Sequence, residues 1–240
     1  MAAEGRNLRA INYFGSKVSS AHKYPSPTHK RIVEPFAGGA GYSLLHHRND
    51  VVLLDKSPDV IGAWRYLIAT EPEEVLRLPL IAAGQDISEL ECSDGGRLLI
   101  SWCLNQTATP RRKLSSWGVY HAGRACYWGA ARRRQAALIA GRVKHWTAHV
   151  ADYREAGDLS ATWFVDPPYV DGGQAYPFRE LDYSGLAVWC YSRPGQVIVC
   201  ERDGASWLPF ARLFDQPTAR RYKVGARQRC SEALWTRTDP

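Results

Sequence analysis

The chain has 240 residues, 45% of them hydrophobic, enough for one large domain or a domain with an insert. No apolar run reaches the roughly 18 residues that a membrane helix needs, which excludes a spanning segment of that kind. The net charge is +7, and the six cysteines (92, 103, 126, 190, 200 and 230) form no Cys-x-x-Cys pair, which argues against a zinc site or a disulfide framework and for a reducing compartment.

Met1 to Asn12 lacks the apolar segment of a signal peptide, so a cytoplasmic location is expected. Asn12-Tyr13-Phe14-Gly15-Ser16-Lys17 reads as a loop leading into a helix of about two turns before Pro25, with Ser16 as its cap. Arg31-Ile32-Val33-Glu34-Pro35-Phe36 is a buried strand that stops at its proline. Ala37-Gly38-Gly39-Ala40-Gly41 is a glycine-rich turn, followed by a helix over 42–47. Val51 to Leu54 is a second strand, closed by Asp55, and Ser57 with Pro58 opens a helix to about Ala69. This strand, glycine turn, helix, strand and acid make a βαβ unit on a parallel sheet.

Glu71 opens another helix, to about Leu78. From Pro79 to His149 the βαβ rhythm is absent; 95–105 and 130–143 read as helical, and the stretch is assigned to an insert. The 57 residues between Asp94 and Asp152 contain no Asp or Glu but ten Lys or Arg and four Trp. A solvated surface normally mixes both signs, so the block points to a polyanionic partner. The alternation resumes with a strand, Thr162-Trp163-Phe164-Val165, running into Asp166-Pro167-Pro168-Tyr169. A helix over 183–192, a strand over 196–201, and an antiparallel pair of 221–224 with 232–236 complete the expected elements.

Asp166-Pro167-Pro168-Tyr169 sits where a strand opens into a loop, the end of an α/β sheet at which ligands bind. Prolines remove N–H donors, so the carbonyls here are free to face a pocket. An Asp carboxylate, a Pro carbonyl and a Tyr face can hold a flat ring that carries an amino group. The turn at 38–41, with Asp55 17 residues after Gly38, is a nucleoside-binding arrangement. Ser43 stands where G-x-G-x-x-G has its last glycine, which favours a single adenosyl group over a dinucleotide.

Tyr13-Phe14-Gly15-Ser16-Lys17, Glu34-Pro35-Phe36-Ala37-Gly38-Gly39-Ala40-Gly41, Asp55 with Ser57 and Asp59, and Asp166-Pro167-Pro168-Tyr169 occur in that order. In this the chain resembles Dam-type DNA adenine-N6 methyltransferases of the alpha group, many of them from phages. The resemblance spans about residues 9–78 and 160–236. It implies a Rossmann-like class I methyltransferase sheet with helices on both faces, split as residues 1–78 and 150–240, with a basic DNA-recognition insert over 79–149. It also implies S-adenosyl-L-methionine as cofactor, double-stranded DNA as substrate, and a bacterial or phage-infected cell as setting. A monomer or weak dimer is expected, with no metal.

By the same resemblance, Tyr13, Gly15, Lys17, Glu34, Phe36, Ala37, Gly38, Gly39, Gly41, Asp55 and Asp166 surround the cofactor. Asp166 and the Pro167 carbonyl accept the hydrogens of the target amine; Pro168 and Tyr169 complete the motif, and Tyr169 stacks on the extruded base. Tyr176, Phe178 and Asp182 extend the match, and Arg227 with Glu232-Ala233-Leu234-Trp235 resembles the family's C-terminal hairpin. Arg111, Arg112, Lys113, Arg124, Arg132, Arg133 and Arg134 are the candidates for DNA contact. Trp102, Trp117, Trp128 and Trp146 read as core. The Asn/Arg/Gly/Pro pattern with which better-known members read GATC is absent; Asn105-Gln106-Thr107 and Ser115-Ser116-Trp117 do not match it. Methylation of RNA or of cytosine N4, and a non-catalytic nucleic-acid-binding module, stay open as alternatives.

Overall fold

Strands buried on both faces read as continuous apolar runs, and the runs that end in Glu34, Asp55 and Asp166 lie side by side. In the computed structural model, which describes residues 8–115, 127–171, 176–217 and 229–239, β1 (Arg31–Glu34) pairs in parallel with β2 (Asp50–Asp55) on one side and β4 (Ala161–Val165) on the other. β3 (Thr147–Val150) adds in parallel to β2, and β5 (Gly195–Arg202) to β4. β7 (Arg229–Thr238) runs antiparallel to β5, and β6 (Ala211–Pro217) antiparallel to β7. The result is a mixed α/β fold with a seven-stranded, mostly parallel sheet of order β3-β2-β1-β4-β5-β7-β6.

Successive residues of a strand face opposite sides of a sheet, and the core divides accordingly. Ile32, Phe164, Ile198 and Cys200 belong to one buried layer. Val33, Trp163, Val165, Val197 and Val199 belong to the other. The first layer is covered by α1 (Gly41–Leu45), α2 (Pro58–Ala69), α3 (Pro72–Arg77), α4 (Asp94–Trp102) and α5 (Ala130–Arg142). The second is covered by α6 (Tyr183–Ser192), through Leu186, Trp189 and Cys190. Ser57 caps α2, accepting from the Val60 amide at 3.4 Å, and Pro58 occupies its first turn.

Three expectations about elements are corrected. First, the stretch 79–149, read as free of the βαβ rhythm, packs onto the core of the sheet and ends in a strand. Trp102, Trp128 and Trp146 lie in the same core layer as Ile32 and Phe164. Each Trp N–H finds a main-chain carbonyl: Asp59 at 3.0 Å, Pro79 at 2.9 Å and His47 at 3.3 Å. The end of the stretch is β3 itself, an edge strand with only Ala148 buried, so it carries no apolar run to read. Secondly, 211–217, expected as no element, forms β6 beside β7, while 221–224, expected to pair with 232–236, lies outside the described residues. β6 is an edge strand with Arg212 and Asp215 exposed and a register shift between Arg212 and Phe214, charged as unpaired edges tend to be. Thirdly, the segment after Ser16 forms two single 3-10 turns, Lys17–Ser19 and Ala21–Lys23, and the Ser16 hydroxyl caps neither.

Among the described residues no helix is long and apolar enough to cross a membrane. Phe164 stacks on Tyr42 at 4.2 Å with the planes 5° apart, and meets the edge of Tyr24 at 5.2 Å. Phe164→Ala is expected to cost about 3–5 kcal/mol, read by urea unfolding; a loss below about 1 kcal/mol would show that this layer is not close-packed.

Candidate functional site

The order of the sheet reverses between β1 and β4, because the chain leaves β1 for β2 on one side and returns through β4 on the other. In an open α/β sheet the ligand crevice forms outside the carboxyl ends of the strands at such a switch point. Here β1 ends in Glu34, β2 in Asp55, and β4 runs into Asp166, and all three line one cleft of about 980 Å³. Every residue assigned above to catalysis or to cofactor binding lines it. It is of the size that small-molecule sites have.

The glycine turn is held from both sides. The Gly38 amide donates to Asp55 Oδ2 at 3.0 Å and the Ser57 amide to Asp55 Oδ1 at 2.9 Å, while Trp64 Nε1 donates to the Gly38 carbonyl at 2.9 Å. Burial pushes the Asp55 carboxyl up, and the two amides pull it back. The glycines serve a neighbour that sequence spacing does not identify. A Cβ at Gly38 would meet the Tyr13 ring at 2.8 Å, one at Gly39 the Ser16 hydroxyl at 2.5 Å, and one at Gly41 the Val18 amide at 2.4 Å. These positions admit the Tyr13–Val18 segment of the chain itself, packed straight onto the turn.

That segment delivers Lys17. Its Nζ lies 2.6 Å from Asp166 Oδ1, 3.7 Å from Glu232 Oε1 and 4.8 Å from the centre of the Tyr169 ring. Burial opposes the Lys17 charge, but the two carboxylates outweigh it and hold the ammonium above its ordinary range. Burial pushes the Asp166 carboxyl up, Lys17 draws it down and Glu232 raises it again. The Tyr169 hydroxyl donates to Glu232, and that of Tyr183 to the Pro168 carbonyl at 2.6 Å. The Pro167 carbonyl accepts no main-chain or side-chain hydrogen bond from the described residues. Tyr176 latches the segment from the far side, stacking on Tyr13 at 5.8 Å and donating to the Phe14 carbonyl at 3.0 Å. Phe178 is exposed on the cleft, whereas Asp182 caps α6 through the Gly185 amide at 3.0 Å.

Glu34 is 2% exposed and accepts from the Ser43 amide at 2.8 Å, fastening the first turn of α1. Two residues passed over in the sequence, Asp152 and Tyr153, also line the cleft, beyond the end of β3. Asp152 pairs with Arg154 at 2.7 Å and Lys56 at 3.0 Å, and the Arg154 hydrogen bond holds its carboxyl below the usual range. Tyr153 stacks on Phe36 at 5.6 Å. An acid and an aromatic after a strand are the signal for this pair, hidden because β3 itself is polar.

The basic candidates divide. Arg111, Arg112 and Lys113 are exposed on a depression of about 550 Å³ that shares Gln106 with the cleft. Arg112 is paired with Asp86 at 3.0 Å. Arg134 is exposed; Arg133 is half-buried and donates to the Leu78 carbonyl at 2.8 Å, closing the end of α3. Arg132 is a correction: it is 1% exposed, donates to Asn12 Oδ1 and Gln135 Oε1 at 2.7 Å each, and cannot meet a phosphate from there. Arg124, Trp117 and Arg227 lie outside the described residues.

Burial pushes the Glu34 carboxyl from about 4.5 up to about 8. The folded chain therefore holds this proton more tightly than the unfolded one. The stability it contributes is full below about pH 4.5 and is lost as pH rises through about 8. Glu34→Gln, which mimics the protonated form, is expected to flatten the decline between pH 5 and 8 by on the order of 2–4 kcal/mol. Asp55, Asp166 and Glu201 are raised in the same sense, whereas His46 and His47, lowered by burial, act against them. Parallel unfolding profiles for variant and parent would contradict this.

No family model matches the chain. No curated protein matches it. Among solved structures, a conserved hypothetical protein from Streptococcus pyogenes is similar at 10% identity, covering 85% of this chain and 84% of the other, with a TM-score of 0.34.

Proposed function

We propose that this chain is an S-adenosyl-L-methionine-dependent methyltransferase of the Rossmann-like class I architecture, acting on the N6 amino group of adenine in double-stranded DNA inside a bacterial or phage-infected cell. The observation that carries the reading is the meeting, in one cleft at the switch point of the sheet, of Asp166-Pro167-Pro168-Tyr169, the glycine turn and Asp55. A sheet whose first five strands follow the doubly wound order 3-2-1-4-5 supports it.

The donor set fits the cofactor. Each Asp55 oxygen accepts one main-chain amide and keeps a lone pair for a ribose hydroxyl. The stacked Phe36 and Tyr153 rings offer an apolar face to a flat base. When bound, S-adenosyl-L-methionine supplies an electrophilic methyl group. The residues of the chain then do the rest. An exocyclic adenine amine is a poor nucleophile because its lone pair is delocalised into the ring. In the proposed complex, Asp166 and the Pro167 carbonyl accept its two hydrogens, localise that lone pair and fix its direction. Lys17 orients Asp166, and the Tyr169 ring supplies a stacking face.

No covalent nucleophile is required. The sequence has no Pro-Cys pair of the kind that attacks cytosine C5. Cys190 and Cys200 are buried, and burial pushes the Cys190 thiol up to about 12, which suits core packing rather than attack. Asp rather than Ser before Pro-Pro-Tyr favours adenine N6 over cytosine N4. A base inside a duplex must be extruded to reach the cleft, and Arg111 and Lys113 beside its mouth are suited to hold the backbone meanwhile.

S-adenosyl-L-methionine is expected to raise the melting temperature, and labelled methyl groups to appear as N6-methyladenine in duplex DNA. Asp166→Ala should lower that transfer about 10²–10³-fold. An unaltered rate, or label in RNA or cytosine instead, would overturn the assignment. Lys113→Ala should weaken DNA binding and make its salt dependence shallower by about one counterion. Arg132→Ala, lying in the core, should leave the slope as it is; equal slopes for the parent and Lys113→Ala would remove Lys113 from the phosphate contacts.

A further inference from the structure

We propose that Glu232 is a positioning residue of the reaction centre, fixing the Tyr169 ring and sharing the Lys17 charge with Asp166; this rests on the methyl-transfer reading above. Glu232 lies on β7, opposite Arg202 of β5 and Phe214 of β6. It is 1% exposed. A carboxylate carried inward by a strand is costly unless it is paired and fully bonded, so its partners define its role. Tyr24 donates to Glu232 Oε1 at 2.8 Å, and Tyr169 donates to the same oxygen. Tyr24 is itself wedged edge-on between Phe164 at 5.2 Å and Phe214 at 6.1 Å. The phenol of Tyr169 is thus tied to an oxygen that rigid neighbours hold in place.

Glu232 also approaches Lys17, at 3.7 Å against the 2.6 Å of Asp166. An ammonium with one carboxylate partner concentrates its charge on that partner. Here it is divided, and Asp166 keeps acceptor capacity for an amine. Among the described residues two carboxylates thus approach one ammonium. An amine nitrogen that takes the methyl group, as that group's bond to the sulfonium sulfur breaks and the neutral thioether leaves, would be cationic until it sheds a proton to water, and carboxylates preorganised nearby favour that charge. Glu232 lines the same cleft, and the role assigned to it runs through Tyr169, which it bonds, and Asp166, whose carboxyl it pushes up.

The test compares the full chain with Glu232→Gln and Tyr169→Phe, using S-adenosyl-L-methionine and duplex DNA. Both variants are expected to lose about 10- to 100-fold in kcat while the KM for S-adenosyl-L-methionine moves less than about threefold. Among the described residues the groups facing Glu232 include Tyr24, Tyr169, Lys17, Asp166, Tyr176 and Cys200. Because the Glu232 charge raises the Asp166 carboxyl, the acidic limb of the kcat profile should move to lower pH in Glu232→Gln, a shift that a purely structural role would not produce. Parent-like kcat and profile in an active preparation overturn the role of Glu232 alone. A parent that transfers no methyl groups overturns the functional reading beneath it. Should Glu232→Gln fail to fold, Tyr169→Phe decides: full kcat there contradicts the proposal.

Discussion

A buried ammonium is tolerated only where a carboxylate meets it, and the pairing of Lys17 with Asp166 is the constraint on which the rest of this cleft depends. The partners are separated by 149 residues of chain, so the contact brings the N-terminal segment across the end of β4. Once Lys17 is placed, the segment from Tyr13 to Val18 lies against the glycine turn, and a Cβ at 38, 39 or 41 would meet Tyr13, Ser16 or the Val18 amide in turn. Gly15 follows the same logic: its φ of +78° and the Tyr176 hydroxyl, 2.4 Å from where a Cβ would stand, leave no room for another residue.

The ion pair also organises the chemistry. Asp166 is oriented by Lys17 before any ligand arrives, the Tyr169 ring is tethered through its hydroxyl to Glu232, and the Pro167 carbonyl accepts no hydrogen bond from the described residues. Preorganisation of acceptors, rather than an acid, base or nucleophile in the usual sense, is what such an arrangement offers a weakly nucleophilic amine. A glutamate that a sequence places merely in a C-terminal strand becomes part of that arrangement only because β7 inserts between β5 and β6.

Much of the cleft was legible because its parts are local. A strand stopping at Pro35, glycines after it, an acid closing β2 and Asp-Pro-Pro-Tyr closing β4 are each read within a few residues. What escaped is either polar or long-range. β3 and β6 are edge strands with exposed faces, so they lack an apolar run, and with β3 went Asp152 and Tyr153. Arg132 stands in a run of three arginines, Arg132-Arg133-Arg134, whose members differ entirely: one is in the core, one closes a helix and one faces solvent. Helical periodicity separates them only once the partners of α5 are known. The acid-free composition of 95–151 was a fair sign of excess positive charge, yet part of that charge is spent on the carbonyls and amides of the core.

On the proposed reading, adenine N6 in DNA is methylated in this cleft. The most direct measurement expresses the chain in a host free of DNA methylation and maps N6-methyladenine across the host genome. The account predicts N6-methyladenine at defined or relaxed sequence contexts, and its disappearance with Asp166→Ala. Genomic DNA without N6-methyladenine, in cells holding the folded chain, would contradict it.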